Sequence, residues 1–202
     1  MLFLFSKFKL RKWKKYSPEK RFNILRALEN RIARWLEIDP IKLELKEDSD
    51  HWNCYGAFTI IGEKKFILIN DKLIYEPRCR FHAIETIAHE TRHAYQFNLI
   101  NRDLRWYEFR AKKWKRNWIG YFGSATDKVM YNNQSVERDA QRYSLKILKK
   151  YKGKYSGEKD FRDTYDAVLY RYEQADIDAR KKYGFFYKQK IEKNIKNNAK
   201  FR

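Results

Sequence analysis

The chain has 202 residues, the size of one domain with short appendages, and 43% of them are hydrophobic. That apolar share is enough for a core and argues against wholesale disorder. The 46 Lys and Arg residues outnumber 26 Asp and Glu residues, so the formal net charge is +20. The electrostatic field of this charge attracts nucleic acid, anionic membranes or acidic proteins. The alternative is that the charge only keeps the protein soluble.

The cysteines and the apolar runs indicate the cellular compartment of the protein. Cys54 and Cys79 are too few for a disulfide framework, and there is no CxxC or CxxxC pair of the kind that binds zinc. No apolar run reaches the roughly 20 residues of a membrane-spanning helix or the roughly 7 of a secretory signal. We therefore expect a protein of the reducing cytoplasm without a transmembrane segment.

The first third of the chain predicts a helix followed by a small sheet. Residues 1–16 form a basic segment whose Leu and Phe residues also fit attachment to a membrane surface. Residues 17–38 predict a helix that Ser17 and Pro18 begin and Asp39-Pro40 ends. Three strands, mostly antiparallel, are then expected over residues 41–46 and on both sides of a turn at 62–64.

The remainder of the chain predicts mainly helices, with few glycines or prolines to interrupt them. A long helix is expected from about residue 78 to 99, and residues 101–134 predict a short helix and a loop. Further helices are expected over residues 135–151 and 158–184, followed by a frayed basic tail from residue 188 onward.

The stretch ETIAHETRHAYQ, residues 85–96, contains a His-Glu-x-x-His motif within the long helix. His89 and His93 are about 400° apart around a helix, so both rings project from one face and can reach one zinc ion. Glu90 leans toward the same site, where it can accept a proton from water activated by the metal. We therefore interpret Glu90 as a general base and not as a ligand.

A peptidase zinc site needs a third protein ligand, and the helix over residues 135–151 offers candidates. Glu137 lies near the start of this helix, and the small Ala140 would permit close approach to the histidine helix. Asp139 is the alternative third ligand if the helix begins later than predicted. Gln141, one turn beyond Glu137, can accept a hydrogen bond from a ligand histidine and fix its tautomer.

Two further roles stay open between several residues. The candidates for stabilising an oxyanion are Tyr131, Tyr95, Tyr143 and Arg92, and the sequence does not choose among them. The strand KFILIN, residues 65–70, precedes the histidine helix and can bind an extended peptide if it lies at a sheet edge. The alternative is an edge covered by the protein's own loop.

Together, these elements resemble the zincin metallopeptidases of the gluzincin type, in which a glutamate on the second helix is the third ligand. ERDAQRYSLKIL, from Glu137, is similar to a stretch of the short repressor-cleaving peptidases of the ImmA/IrrE type. IETIAHETRHAYQ and SVERDAQRY also resemble zincin-like domains of phages, mobile elements and bacterial toxins. The chain departs from these patterns at Gln141, where Asn or Asp is usual, and no third histidine follows His93 at the spacing of metzincins.

The resemblance spans roughly residues 41–148 and implies a zincin-like α+β fold. We expect this domain to cover residues 17–152, with a basic helical extension over 153–202. The resemblance also implies one Zn²⁺ held by His89, His93 and Glu137, and hydrolysis of a protein or peptide substrate with Glu90 as the base.

The alternative is a basic protein that binds nucleic acid or a membrane surface and carries a structural or degenerate zinc site. Its candidate surfaces are the cation-rich stretches 1–20, 102–118 and 180–202. Each of these stretches also fits a solvated face or, for 102–118, aromatic packing beneath surface lysines.

Overall fold

The computed structural model describes residues 6–47, 54–101, 108–121, 123 and 126–200. The predicted α+β class is confirmed in this coarse form: the described part of the chain is mostly helical and contains a three-stranded sheet. Parts of the predicted basic surfaces, residues 1–5, 102–107 and 201–202, lie outside the described residues.

The helices are α1 (Leu10–Lys15), α2 (Pro18–Trp35), α3 (Lys72–Tyr75), α4 (Arg80–Ile100), α5 (Glu108–Ile119), α6 (Lys128–Asn133), α7 (Ser135–Tyr155), α8 (Lys159–Tyr183) and α9 (Tyr187–Ala199). Short 3-10 helices occupy Ser6–Phe8 and Pro77–Cys79. In the described segments, no helix is both long and apolar enough to cross a bilayer.

The described part of the amino-terminal segment contributes two aromatic side chains to the core. Phe8 and Trp13 are fully buried, with ring centroids 5.1 Å apart in a stacked arrangement. Arg21 of α2 donates from Nε to the carbonyl oxygen of Trp13 at 3.0 Å. The Leu and Phe residues at positions 2–5 lie outside the described residues, so the membrane-surface interpretation of this segment stays a prediction.

The helix α2 begins as predicted and ends three residues earlier. The Ser17 hydroxyl accepts a hydrogen bond from Lys20 N at 3.2 Å, which satisfies a free amide of the first turn. The helix ends at Trp35 because Glu37 adopts the left-handed region, with φ of 55°, before Asp39-Pro40 is reached. The sequence therefore predicted the start of α2 correctly, whereas its end lies three residues before the predicted one.

The sheet consists of β1 (Lys42–Lys46), β2 (Gly56–Ile61) and β3 (Lys64–Asn70) in the order β1-β3-β2. β2 and β3 form an antiparallel hairpin whose turn contains Gly62 in the left-handed region, and β1 pairs with β3 in parallel. The sheet is therefore mixed, and the prediction of a mostly antiparallel one is corrected. The KFILIN strand lies in the middle, paired on both sides, so the prediction that it is an edge for peptide binding is wrong.

Three predicted bounds near the carboxyl end also change. α7 continues through Gly153 to Tyr155, and two helices, α5 and α6, lie where one short helix was expected. The tail is not frayed from residue 188, because α9 buries Tyr187, Ile191 and Ile195 against Met130 and Ala179. Lysines and asparagines lie between these apolar residues, so their helical spacing is difficult to recognise in the sequence.

The chain forms two compact units. The first comprises Met1–Tyr95 and Tyr143–Tyr165 and includes the sheet, and the second comprises Gln96–Arg142 and Asp166–Arg202 and includes α5, α6 and α9. Within the first unit, the buried guanidinium of Arg80 fixes the start of α4 by donating to Phe8 O at 2.8 Å and pairing with Glu158 and Asp160. The predicted domain boundaries at residues 16 and 152 stay a prediction.

Glu29 in α2 is a buried carboxyl group that joins this helix to the start of β1. It has no exposed surface, and its Oε1 accepts a hydrogen bond from Ile41 N at 2.9 Å. Burial raises the pKa of Glu29 to about 7, and the hydrogen bond from Ile41 offsets part of that effect. The folded protein therefore holds this proton more tightly than the unfolded chain does.

The wild-type free energy of unfolding should fall as the pH rises from about 4.5 to about 7, since only the unfolded chain loses the Glu29 proton readily in that window. The expected fall is at most ~3 kcal/mol. We expect Glu29→Gln to remove it, so that the variant gains stability over wild type between pH 5 and pH 8 in chemical denaturation. Glu63→Gln, in the exposed hairpin turn, is the control. Parallel pH profiles for wild type and Glu29→Gln would contradict this account.

Candidate metal centre

The helix α4 presents His89 and His93 on one face, as the four-residue spacing predicts. Their Nε2 atoms lie 3.0 Å apart and their ring centroids 4.7 Å apart. His93 is buried and His89 is half-buried. Two ligand atoms on a tetrahedral zinc ion with bonds of about 2.0–2.1 Å lie roughly 3.3 Å apart, so the two ring nitrogens have a separation that suits one ion.

Glu137, in the first turn of α7, is the third member of the group. One ring nitrogen of each histidine and one carboxylate oxygen of Glu137 all lie within 4.8 Å of one another. Glu137 has no exposed surface, and Val136 and Ala140 on the same helix are likewise fully buried. A carboxylate removed from water is costly unless it is hydrogen-bonded or paired with positive charge, which a divalent cation would supply.

Asp139, the alternative third ligand, has a different partner. Its Oδ2 accepts a hydrogen bond from Gln96 Nε2 at 2.9 Å, and the same amide nitrogen also donates to Val136 O at 2.9 Å. Asp139 is not part of the His89–His93–Glu137 group. The helix begins where it was predicted to begin, at Ser135, so Glu137 and not Asp139 takes the position that completes the group.

The start of α7 is held by a neighbouring helix. Asn117 of α5 accepts hydrogen bonds at Oδ1 from Ser135 N at 2.6 Å and Ser135 Oγ at 2.8 Å. Gln141, predicted to orient a ligand histidine, is buried, and its Nε2 lies 3.5 Å from Asn132 Oδ1. The predicted role of Gln141 toward histidine stays a prediction.

Glu90 is buried next to the edge strand of the sheet. Its Oε2 accepts a hydrogen bond from Phe58 N of β2 at 2.7 Å, and the residue is only 8% exposed. Gly56 permits this proximity, because a Cβ atom there would meet Thr86 Cγ2 at 2.4 Å and Leu68 O at 3.0 Å. Glu90 is not a member of the His89–His93–Glu137 group, and its role as a base stays a prediction.

The candidates for oxyanion stabilisation fall into two sets. The guanidinium of Arg92 lies over the ring of Tyr95, 4.3 Å from its centroid, and 5.1 Å from the centroid of Tyr143. Burial raises the pKa of Tyr143 to about 12, while the charge of Arg92 acts in the opposite direction, so Tyr143 keeps its proton at neutral pH. Tyr131 instead packs edge-on against Tyr121, with centroids 6.1 Å apart.

Tyr121 is a site residue that the sequence did not reveal. Its hydroxyl donates to Glu137 Oε1 at 2.5 Å and thereby holds the carboxylate of the candidate ligand in place. With 15 tyrosines in the chain and no helical spacing around this one, no local pattern distinguishes Tyr121 from the rest.

The chain matches no protein-family model, no curated protein and no solved structure. The resemblance to zincins therefore depends on the two helical motifs alone. Two imidazoles and one carboxylate are a donor set that zinc accepts in catalytic sites. Without a metal, one imidazole can instead donate a hydrogen bond from Nε2 to the other at the observed 3.0 Å.

Tyr121→Phe tests whether the hydrogen bond from Tyr121 contributes to zinc binding by the His89–His93–Glu137 group. We expect the affinity for Zn²⁺ to fall roughly 10- to 100-fold, because Glu137 loses the hydrogen bond that orients it. The measurement is competition with a chromophoric chelator. Tyr170→Phe, at a position 65% exposed on α8, is the matched control and should bind zinc as the wild type does. Equal affinities for Tyr121→Phe and wild type would contradict the assigned role.

Proposed function

We propose that this protein is a zinc-dependent metallopeptidase of the zincin type. The observation that supports the proposal most strongly is the convergence of one ring nitrogen each from His89 and His93 with a carboxylate oxygen of Glu137, all within 4.8 Å. Glu90, which follows His89 in the sequence, is a second buried carboxyl group and is not a member of that group. A ligand set together with a separate carboxylate is the combination that hydrolysis requires.

The ligand atoms would be the neutral imidazole nitrogens of His89 and His93 and the ionised carboxylate of Glu137. A zinc ion bound there would act as a Lewis acid that lowers the pKa of water toward neutrality. Tyr121, by donating to Glu137 Oε1, restricts the carboxylate to one orientation. Gln96 and Asn117 hold the first turn of α7, from which Glu137 projects.

Glu90 would take a proton from the attacking water and deliver it to the amine leaving group. Burial and the hydrogen bond from Phe58 N fix the carboxylate at Oε2. This bond also ties the base to β2, the strand at one edge of the sheet, so the position of Glu90 depends on that strand. Arg92, with Tyr95 and Tyr143 packed around it, is the candidate cation for the developing negative charge on the substrate carbonyl.

The second candidate function is binding of nucleic acid or another polyanion through the +20 charge, with a metal site that is structural or degenerate. The two functions differ in what they ask of Glu90. A structural site needs the three ligands and has no use for a base, whereas hydrolysis needs both.

Glu90→Gln separates the two candidates, because a glutamine oxygen can still accept the hydrogen bond from Phe58 N. We expect one zinc per chain by elemental analysis for wild type and Glu90→Gln, and none for His89→Ala. New amino termini in a peptide library incubated with the protein should appear at least ~100-fold more slowly with Glu90→Gln than with wild type. Normal zinc content with no cleavage by wild type, or with equal cleavage by Glu90→Gln, would refute the peptidase proposal.

A further inference from the structure

The turn between α8 and α9 exposes two adjacent phenylalanines. Phe185 is 84% exposed and Phe186 is 62% exposed, with ring centroids 5.4 Å apart in an edge-on arrangement. Large apolar side chains side by side in water are unfavourable, and such patches commonly mark a contact with another molecule. We call Gly184, Phe185 and Phe186 the aromatic tip.

The backbone holds this aromatic tip in a defined conformation. Gly184 lies in the left-handed region, with φ of 78°, which glycine adopts without strain. Its amide donates to Arg180 O at 2.8 Å, and Tyr187 N donates to Gly184 O at 3.0 Å. The tip is thus a closed turn with its own hydrogen bonds, which present both rings outward.

The residues on both sides of the aromatic tip are anchored in the second unit. Tyr183 Oη donates to Asp127 Oδ2 at 3.0 Å, and Tyr187 Oη donates to Asp176 Oδ1 at 2.8 Å. Tyr187 is buried, whereas its neighbour Phe186 is exposed. An aromatic side chain can thus be buried next to this turn. The two phenylalanines are exposed because the turn directs their side chains toward solvent.

Positively charged residues flank the aromatic tip in the sequence. Residues 180–190 contain no Asp or Glu, and their cationic side chains are all exposed: Arg180, Lys181, Lys182, Lys188 and Lys190. Lys182 pairs with Asp127 at 2.8 Å, which neutralises one of the five charges. Two exposed phenyl rings flanked by exposed cations are typical of a segment that enters the headgroup region of an anionic bilayer.

We propose that the aromatic tip is a membrane-surface anchor that inserts Phe185 and Phe186 into a bilayer rich in anionic phospholipids. The rings enter the boundary between headgroups and acyl chains, while the flanking lysines and Arg180 contact lipid phosphates. Single-stranded nucleic acid is the less suitable partner. Bases stack on aromatic faces within a cationic groove, whereas these two rings meet edge-on at the outside of a turn.

Vesicle flotation tests the anchor on the full chain. We expect wild type to float with vesicles of 30% phosphatidylserine in phosphatidylcholine, and to bind pure phosphatidylcholine at least ~5-fold more weakly, since each cation near an anionic surface contributes roughly that factor. Phe185→Ser/Phe186→Ser should lose at least ~10-fold in binding to the anionic vesicles. Because both rings are exposed, the variant should retain the wild-type melting temperature and zinc content.

Phe109→Ser is the matched control, since Phe109 is as exposed as Phe185 but lies on α5. It should float as wild type does. Three results would overturn the anchor: no flotation of wild type, undiminished flotation of the double variant, or an equal loss with Phe109→Ser. If wild type does not float, tip-dependent binding of a single-stranded oligonucleotide would identify nucleic acid as the partner instead.

Discussion

A carboxylate without any exposed surface, that of Glu137, is the constraint on which the candidate centre depends. It lies with a ring nitrogen from each of His89 and His93 inside 4.8 Å, and Tyr121 donates to it. The desolvation cost of such a group is several kcal/mol unless charge or hydrogen bonds compensate it. The supports at the start of α7, from Gln96 and Asn117, keep this costly group in one position, as a preorganised ligand requires.

Glu90 shows how the sheet contributes to the centre. The carboxylate accepts a hydrogen bond from the edge strand β2, and the absence of a side chain at Gly56 lets that strand approach α4. β3, the middle strand, buries Ile67 and Ile69 and holds β2 in register through antiparallel pairing. The small sheet thus supports the proposed base, although none of its own side chains belongs to the His89–His93–Glu137 group.

Local chemistry made part of this arrangement predictable. The spacing of His89 and His93 and the cap at Ser17 each depend on residues within one or two helical turns, so the sequence alone was sufficient. The choice of Glu137 over Asp139 required the exact start of α7, which pattern reasoning leaves uncertain by a few residues. Tyr121 and the central position of β3 depend on contacts between distant segments, and no short-range signal encodes them.

X-ray absorption at the zinc edge of the purified, zinc-loaded protein tests whether His89, His93 and Glu137 bind the ion. We expect a first shell of nitrogen and oxygen atoms at about 2.0–2.1 Å, with the multiple-scattering signature of two imidazoles, and loss of one imidazole in His93→Ala. A shell containing sulfur at about 2.3 Å, or a spectrum without imidazole scattering that is unchanged in His93→Ala, would contradict it. In that case zinc would bind elsewhere, and the His89–His93–Glu137 group would be only a set of buried polar side chains.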